Sequence, residues 1–265
     1  MARDYKLVAV GFRGHFLRGT PAQGGTDFFE NENNIQQQIL TPIKDTGATI
    51  HTFVATYHSP CNHIDQLLLK RLNTKDVLFL QKLTIRPVDM QIKLLQLIIA
   101  QQIDYSHVLL LRFDVKYKYA ITDPRFGIKT DRINFAWKEA FHLWGKARAT
   151  SDLFFLFPGR YSSDFVYALN SSGSFNSFRF CRKCMRSGHF VYRFLEQRIN
   201  RTGVFNFCQE SIGWSGQTWA GAQNKSMVLA INRAVSHNAS SVCEGAGEKA
   251  LGVVGAGAFL SHRVG

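Results

Sequence analysis

Residues 105–115 read Tyr105-Ser-His-Val-Leu-Leu-Leu-Arg-Phe-Asp-Val115, an apolar run over His107–Leu111 that ends on Arg112 and Asp114. A short, continuous apolar run bounded by polar residues is the pattern of a strand covered on both faces, as a central parallel sheet requires. Side chains two apart on a strand share a face, so Arg112 and Asp114 leave its end on the same side. In open α/β sheets, ligands gather beyond the carboxyl ends of such strands. The pair therefore offers one fixed cation and one anion to a ligand or metal. The plainer reading is a surface ion pair closing a strand, an arrangement that is common and weak.

Upstream of this strand the pattern alternates. Lys6–Phe12 reads as a strand, Asn34–Lys44 as a helix stopped near Gly47, Thr49–Thr56 as a strand and Ile64–Leu72 as a helix. Val77–Leu80 follows as a short strand and Met90–Ile103 as a helix with Ile92, Leu95, Ile99 and Ile103 near helical spacing. This β-α-β-α-β-α-β order predicts a doubly wound α/β sheet with strands near 6–12, 49–56, 76–80 and 107–113.

Downstream the regularity falls. Lys116–Lys129 is charged and loop-like, Ile133–Phe135 a short strand, Ala136–Trp144 an aromatic helical piece, and Ser151–Pro158 a second buried strand. Helices are expected from Ser163 and over His189–Asn200. Residues 1–210 are read as one α/β domain. Residues 211–265 are read as a Gly/Ala/Ser-rich, weakly structured extension, an irregular C-terminal part.

At 265 residues, 45% hydrophobic and 19% charged, the chain can bury a sizeable core, and whole-chain disorder is excluded. Its net charge of +13 calls for an anionic partner. Nine Lys/Arg fall between Arg112 and Arg148, and seven between Arg179 and Arg201 against the single acid Glu196. Five scattered cysteines argue against a disulfide scaffold. With no apolar leader and no window of 18 apolar residues, a cytoplasmic location is the expectation.

Gly11-Phe-Arg-Gly-His-Phe-Leu-Arg-Gly19 follows the first strand, but its glycines miss the dinucleotide spacing G-x-G-x-x-G. It reads as a tight turn or as a phosphate-approach loop charged by Arg13 and Arg18. Cys181-x-x-Cys184-x4-His189 opens a zinc-knuckle spacing, yet Phe194 stands where the fourth ligand belongs. A closed zinc site needs four ligands, so two incidental cysteines before a basic helix is the better reading. No G-x-S-x-G elbow supports a hydrolase.

The 105–115 segment resembles the hydrophobic-R-x-D motif of GT-A-type glycosyltransferases. The likeness is to the divergent enzymes that build capsule and lipopolysaccharide glycans, and to related ones of microalgae and their large viruses. The order of parts over residues 5–170 is similar too, from the arginine loop Gly11–Arg18 through Thr56-Tyr57 to Ser151-Asp152. The resemblance implies a GT-A-like, Rossmann-related fold with a central, mostly parallel sheet flanked by helices. It also implies transfer of a sugar from a nucleotide-sugar donor to a glycan or glycoprotein acceptor.

In that family an acid at this strand end holds Mn²⁺ or Mg²⁺ against the donor diphosphate, and Asp114 matches its last acid. Arg112 replaces the first acid, so a metal-free arginine clamp stands beside the metal reading. Asp152 is the candidate general base, with a strand-start cap as its plainer role. Arg13, Thr56, Arg86, Arg112 and Asp114 are expected to converge on one pocket, with Gly11, Gly14 and Tyr57 also on the donor side. The rival reading is a nucleic-acid-binding protein without enzymatic activity, using the basic 179–201 stretch and its interleaved aromatics.

Overall fold

The computed structural model describes residues 6–14, 28–59, 62–80, 86–138, 148–174, 188–201, 203–208 and 228–231. Four parallel strands form its spine: β1 (Leu7–Arg13), β2 (Thr49–Tyr57), β3 (Thr74–Leu80) and β4 (His107–Arg112). With β5 (Val115–Tyr117), β6 (Ile133–Phe135), β7 (Phe154–Pro158) and β8 (Phe205–Phe207) named in chain order, the seven-stranded sheet runs β3-β2-β1-β4-β7-β6-β8. It is an α/β sheet, mostly parallel, and the expected strand positions agree with it. A second, two-stranded sheet pairs β5 with β9 (Val228–Ile231), so the stretch after residue 210 contributes a strand to the fold.

The residue pattern explains the layers. Along β1, Val8, Val10 and Phe12 enter one core, while Ala9 enters the other. Along β4, Leu109 and Leu111 take the first face, Val108 and Leu110 the second. Helices α1 (Phe28–Ile35), α2 (Thr41–Lys44) and α3 (Asn62–Arg71) supply Ile35, Ile43, Ile64 and Leu68 to the first face. Helices α4 (Pro87–Ala100), α5 (Ser162–Ser174) and α6 (Val191–Ile199) supply Leu94, Leu95, Phe165, Leu169 and Leu195 to the second. The crossovers β1-β2 and β2-β3 run one way along the sheet. The crossover from β3 then returns past β2 and β1 to β4, on the opposite face. The strand order therefore reverses between β1 and β4.

Several expectations change. The helix expected from Asn34 begins at Phe28 and passes through a π-helical turn, Gln36–Leu40, before α2. Ser151–Pro158 keeps only Phe154–Pro158 as strand, and that strand runs antiparallel to β4. A strand buried on both faces shows the same apolar run in either direction, so sequence could not give its sense. Lys116–Lys129, read as loop, contains most of β5 and a 3-10 turn at Pro124–Phe126. Within Ala136–Trp144, Lys138 forms an extended bridge to Thr150 where a helix was expected, and residues 139–144 lie outside the described residues.

Gly11 has a packing role. A Cβ there would lie 2.9 Å from Leu94 Cδ2 and 3.1 Å from Leu110 Cδ2, so α4 seats on β1 because this position has no side chain. Gly11→Val is expected to cost about 1–3 kcal/mol by overpacking, read as a lower denaturant midpoint with unchanged slope.

Candidate functional site

Arg13 ends β1 and Arg112 ends β4, and the two are directly paired in the register between the strands. Both alternate onto the face covered by α4. Sequence alternation, not chance, thus places two guanidinium groups side by side at the carboxyl edge, at the point where the strand order reverses.

Two carboxylates hold them. Asp114 accepts from Arg112 Nε at 2.8 Å and from Arg112 Nη2 at 2.5 Å, a planar fork on both oxygens. Asp152 sits just before β7, which its antiparallel sense brings to the same edge. Its carboxylate lies 3.5 Å from Arg112 Nη1 and 3.6 Å from Arg13 Nη2, and its carbonyl accepts from Arg13 Nη2. Arg13 is also held from α4. With the Gln91 amide oxygen turned toward it, as the hydrogen-bonding partners require, Gln91 accepts from Arg13 Nη2 at 2.7 Å.

Exposure divides these groups by role. The side chains of Arg13 and Asp152 are 5% and 8% exposed, whereas Arg112 is 25% exposed and Asp114 16%. Burial pulls Arg13 down to about 10, opposed by the neighbouring Asp152 charge. For Asp152, burial favours the neutral acid, but His189, Arg13 and Arg112 override it and hold the carboxyl far below its usual range. Asp114 is likewise lowered, with burial outweighed by Arg112. The inner pair is a buried anchor, and Arg112 is the cation that meets solvent.

Surrounding elements fix this arrangement. On α1, Asn31 Nδ2 donates to the Phe113 carbonyl at 2.8 Å, and Asn34 both donates to the Tyr117 carbonyl at 2.8 Å and accepts from its N–H at 2.6 Å. These two asparagines, three apart on one helix face, clamp the backbone on either side of Asp114. Thr56 Oγ1 donates to the Gly14 carbonyl at 2.8 Å, and the Gly14 N–H points at Met90 Sδ at 3.0 Å. Gly14 has φ of +105°, a backbone geometry suited to glycine, at the point where the chain leaves β1.

Of the residues expected in one pocket, Arg13, Arg112 and Asp114 meet, and Asp152, the candidate general base, joins them. Thr56 is bonded to Gly14, the residue that follows Arg13. Tyr57, half-buried, packs against the α4-side core at the end of β2. Arg86 stands apart: its guanidinium forks onto Asp89 and donates to the Gly173 carbonyl at 2.7 Å, joining the start of α4 to α5. Gly11 lies inside β1 beneath α4 rather than at the edge.

His189, which the sequence reading placed in the zinc-knuckle spacing and the basic helix, is instead a neighbour of Asp152. Its Nδ1 lies 2.7 Å from the Thr150 carbonyl, which can only accept, so Nδ1 carries the proton. Its Nε2 lies 3.9 Å from Asp152 Oδ1. Cys181 and Cys184 lie outside the described residues, and Phe194 packs against the α4-side core.

The donor set does not fit the Mn²⁺ or Mg²⁺ implied at Asp114. Both its oxygens already accept from Arg112, and an ion bound there would sit against a guanidinium. Among the described residues, no three His, Cys, Asp or Glu side chains gather as a ligand set, and no helix is long and apolar enough to cross a membrane.

No protein-family model matches the chain, and no curated protein matches it. Among solved structures it is similar to a nucleoside-diphosphate-sugar pyrophosphorylase from Vibrio cholerae RC9, at 9% identity and a TM-score of 0.48, with 89% of this chain and 99% of that chain covered. A likeness that distant bears on neither activity nor substrate, and the site is read from its own geometry.

Proposed function

We propose that the protein is a glycosyltransferase that takes a sugar from a nucleotide-sugar donor and passes it to a glycan or glycoprotein acceptor. The observation that carries the reading is the register-paired Arg13 and Arg112 at the carboxyl edge, at the reversal between β1 and β4. Ligands of open α/β sheets usually sit beyond the carboxyl ends of the strands where the order reverses.

Arg112 is the group that meets the donor diphosphate. Asp114 takes two of its five N–H donors and fixes its plane, and the partly exposed edge keeps further donors for phosphate oxygens. A nucleoside diphosphate leaves as an anion, so a preorganised guanidinium lowers the barrier by stabilising the charge that develops. Arg13 and Asp152 lie behind it and hold its position. The sequence-based role of Asp152 as general base fits poorly with a buried, strongly ionised carboxylate surrounded by cations, because such a group has little affinity for a proton. The clamp therefore works without a divalent ion, in place of the Mn²⁺ or Mg²⁺ expected at Asp114.

Thermal-shift titration with a panel of nucleoside diphosphates and nucleotide-sugars tests the reading. Stabilisation by at least one nucleotide, equal in Mn²⁺ and in EDTA, is the expected result. Stabilisation that requires the metal would contradict the arginine clamp. A response to oligonucleotides alone would favour the nucleic-acid reading, for which the net charge of +13 speaks.

A further inference from the structure

We propose that His189 is a positioning residue of the nucleotide site, held as an imidazolium against Asp152, and that nucleotide-sugar binding at Arg112 is therefore coupled to a proton. The proposal rests on the transferase reading and adds the condition under which the arginine cluster carries net charge. The two guanidinium groups of Arg13 and Arg112 and the two carboxylates of Asp114 and Asp152 cancel. The imidazolium is what leaves the cluster positive toward a diphosphate.

His189 belongs to the 3-10 turn Gly188–Phe190, which packs against α4, α5 and α6. Those helices cover the face of the sheet that carries Arg13 and Arg112, so the ring stands on the arginines' side. The turn is tied to the segment before β7 in both directions. The Thr150 N–H donates to the His189 carbonyl at 2.7 Å, and His189 Nδ1 donates to the Thr150 carbonyl at 2.7 Å. Nε2 lies 3.9 Å from Asp152 Oδ1.

Each ring nitrogen thus has for a neighbour an oxygen that can only accept. A neutral ring carries a lone pair on one nitrogen, which would oppose either the Thr150 carbonyl or the Asp152 carboxylate. The imidazolium alone offers a proton to each. A histidine that merely fastened the turn would need the first acceptor only, and the second is the carboxylate that both arginines share. The ring is 21% exposed on its side chain, so it can exchange protons with solvent.

Asp152 is the acid that meets the ring, with Arg13 and Arg112 beyond it. The helices packed on the turn carry Asp89 and Lys93 on α4, Asp164 on α5, and Arg193, Glu196 and Arg198 on α6. Asp89 is held by Arg86, Asp164 by Arg198, and Glu196 accepts from the Tyr192 hydroxyl at 2.8 Å. Arg148, two residues before Thr150, adds a further cation.

Loss of the proton reaches Arg112 through Asp152. While His189 is charged, three cations share the Asp152 carboxylate. Once the ring is neutral, its lone pair repels Oδ1, and the carboxylate settles onto the arginines and takes up a donor that phosphate would use. Binding is therefore strongest at low pH and weakens as pH rises through the titration of the ring. By linkage, bound ligand keeps the proton on His189 to higher pH.

Calorimetric titration of the full chain with UDP-, GDP-, ADP- and TDP-glucose, in EDTA and from about pH 5 to 8, reads this coupling. A nucleotide-sugar is the suitable probe because its diphosphate keeps a constant charge over that range, whereas the terminal phosphate of a nucleoside diphosphate titrates within it. For a nucleotide-sugar that binds, native affinity is expected to fall roughly tenfold across the range. His189→Gln keeps hydrogen bonding without the charge, and its affinity is expected to be flat in pH and equal to the native value at the upper end. In ¹⁵N NMR the native, ligand-free protein is expected to show the imidazolium signature at His189 at about pH 6. A neutral ring there overturns the proposal without recourse to any variant. Native affinity that is constant with pH, or an equal decline in His189→Gln, also overturns it while leaving the nucleotide site standing. A native protein that binds none of the four at any pH overturns it together with the transferase reading.

Discussion

Replacing Asp152 with alanine is expected to destabilise the protein by about 3–5 kcal/mol, the largest single effect anticipated outside the apolar core. The reason is the charge left behind. Arg13 is 5% exposed, and its cationic neighbour Arg112 shares Asp152 as a counter-ion. Removing the carboxylate leaves two guanidinium groups on adjacent strands with Asp114 alone between them. Gln91 and the carbonyl of residue 152 still accept from Arg13, which sets the loss toward the lower end. Asp152→Asn should cost less, since size and one acceptor remain.

Acid gives an independent view of the same cluster. Asp152 and Asp114 titrate lower in the folded chain than the ordinary carboxyl value of 3.8. Each therefore contributes stability that is present above that value and lost as pH falls through the folded one. Stability should hold from neutrality down to about pH 5 and decline below it, and the decline should be shallower in Asp152→Asn. Equal acid slopes in the two proteins would mean that the carboxyl is not ionised in the fold.

The second large effect falls on activity. Arg112→Lys retains a positive charge but loses the planar fork that Asp114 grips and the remaining donors that phosphate would use. Transfer is expected to fall by about 10²–10³-fold, of the order of 3–4 kcal/mol of transition-state stabilisation. Arg86→Lys, altering an arginine that faces Asp89 and Gly173 instead, should leave turnover within a fewfold. The contrast matters because sequence reading put both arginines in one pocket. Similar losses in the two variants would show that the geometry does not separate their roles.

What sequence reveals here is set by distance along the chain. The Arg112–Asp114 fork joins residues two apart on an extended strand, and alternation alone puts them on one side. Arg13 was legible as a residue at the same edge, because the parallel strands β1 and β4 must end together. Its partners were not. Gln91 and Asp152 come from two different parts of the chain, and contacts across 78 and 139 residues leave no local pattern. The Asn31 and Asn34 clamp was hidden for another reason: a run of Asn and Gln carries little apolar periodicity, so the helix start at Phe28 left almost no trace. Gly11 misled by its company, since a glycine before Arg-Gly suggests a phosphate loop, whereas the fold uses it to seat Leu94.

The central claim is that Arg112 holds a nucleoside diphosphate without a metal. Calorimetric titration of nucleoside diphosphates in EDTA, on the native protein and on Arg112→Lys, tests it most directly. The account predicts measurable binding by the native protein, unchanged on adding Mn²⁺, and at least tenfold weaker binding by the variant. Equal affinity in the two proteins, or binding by the native protein only when Mn²⁺ is present, would contradict it.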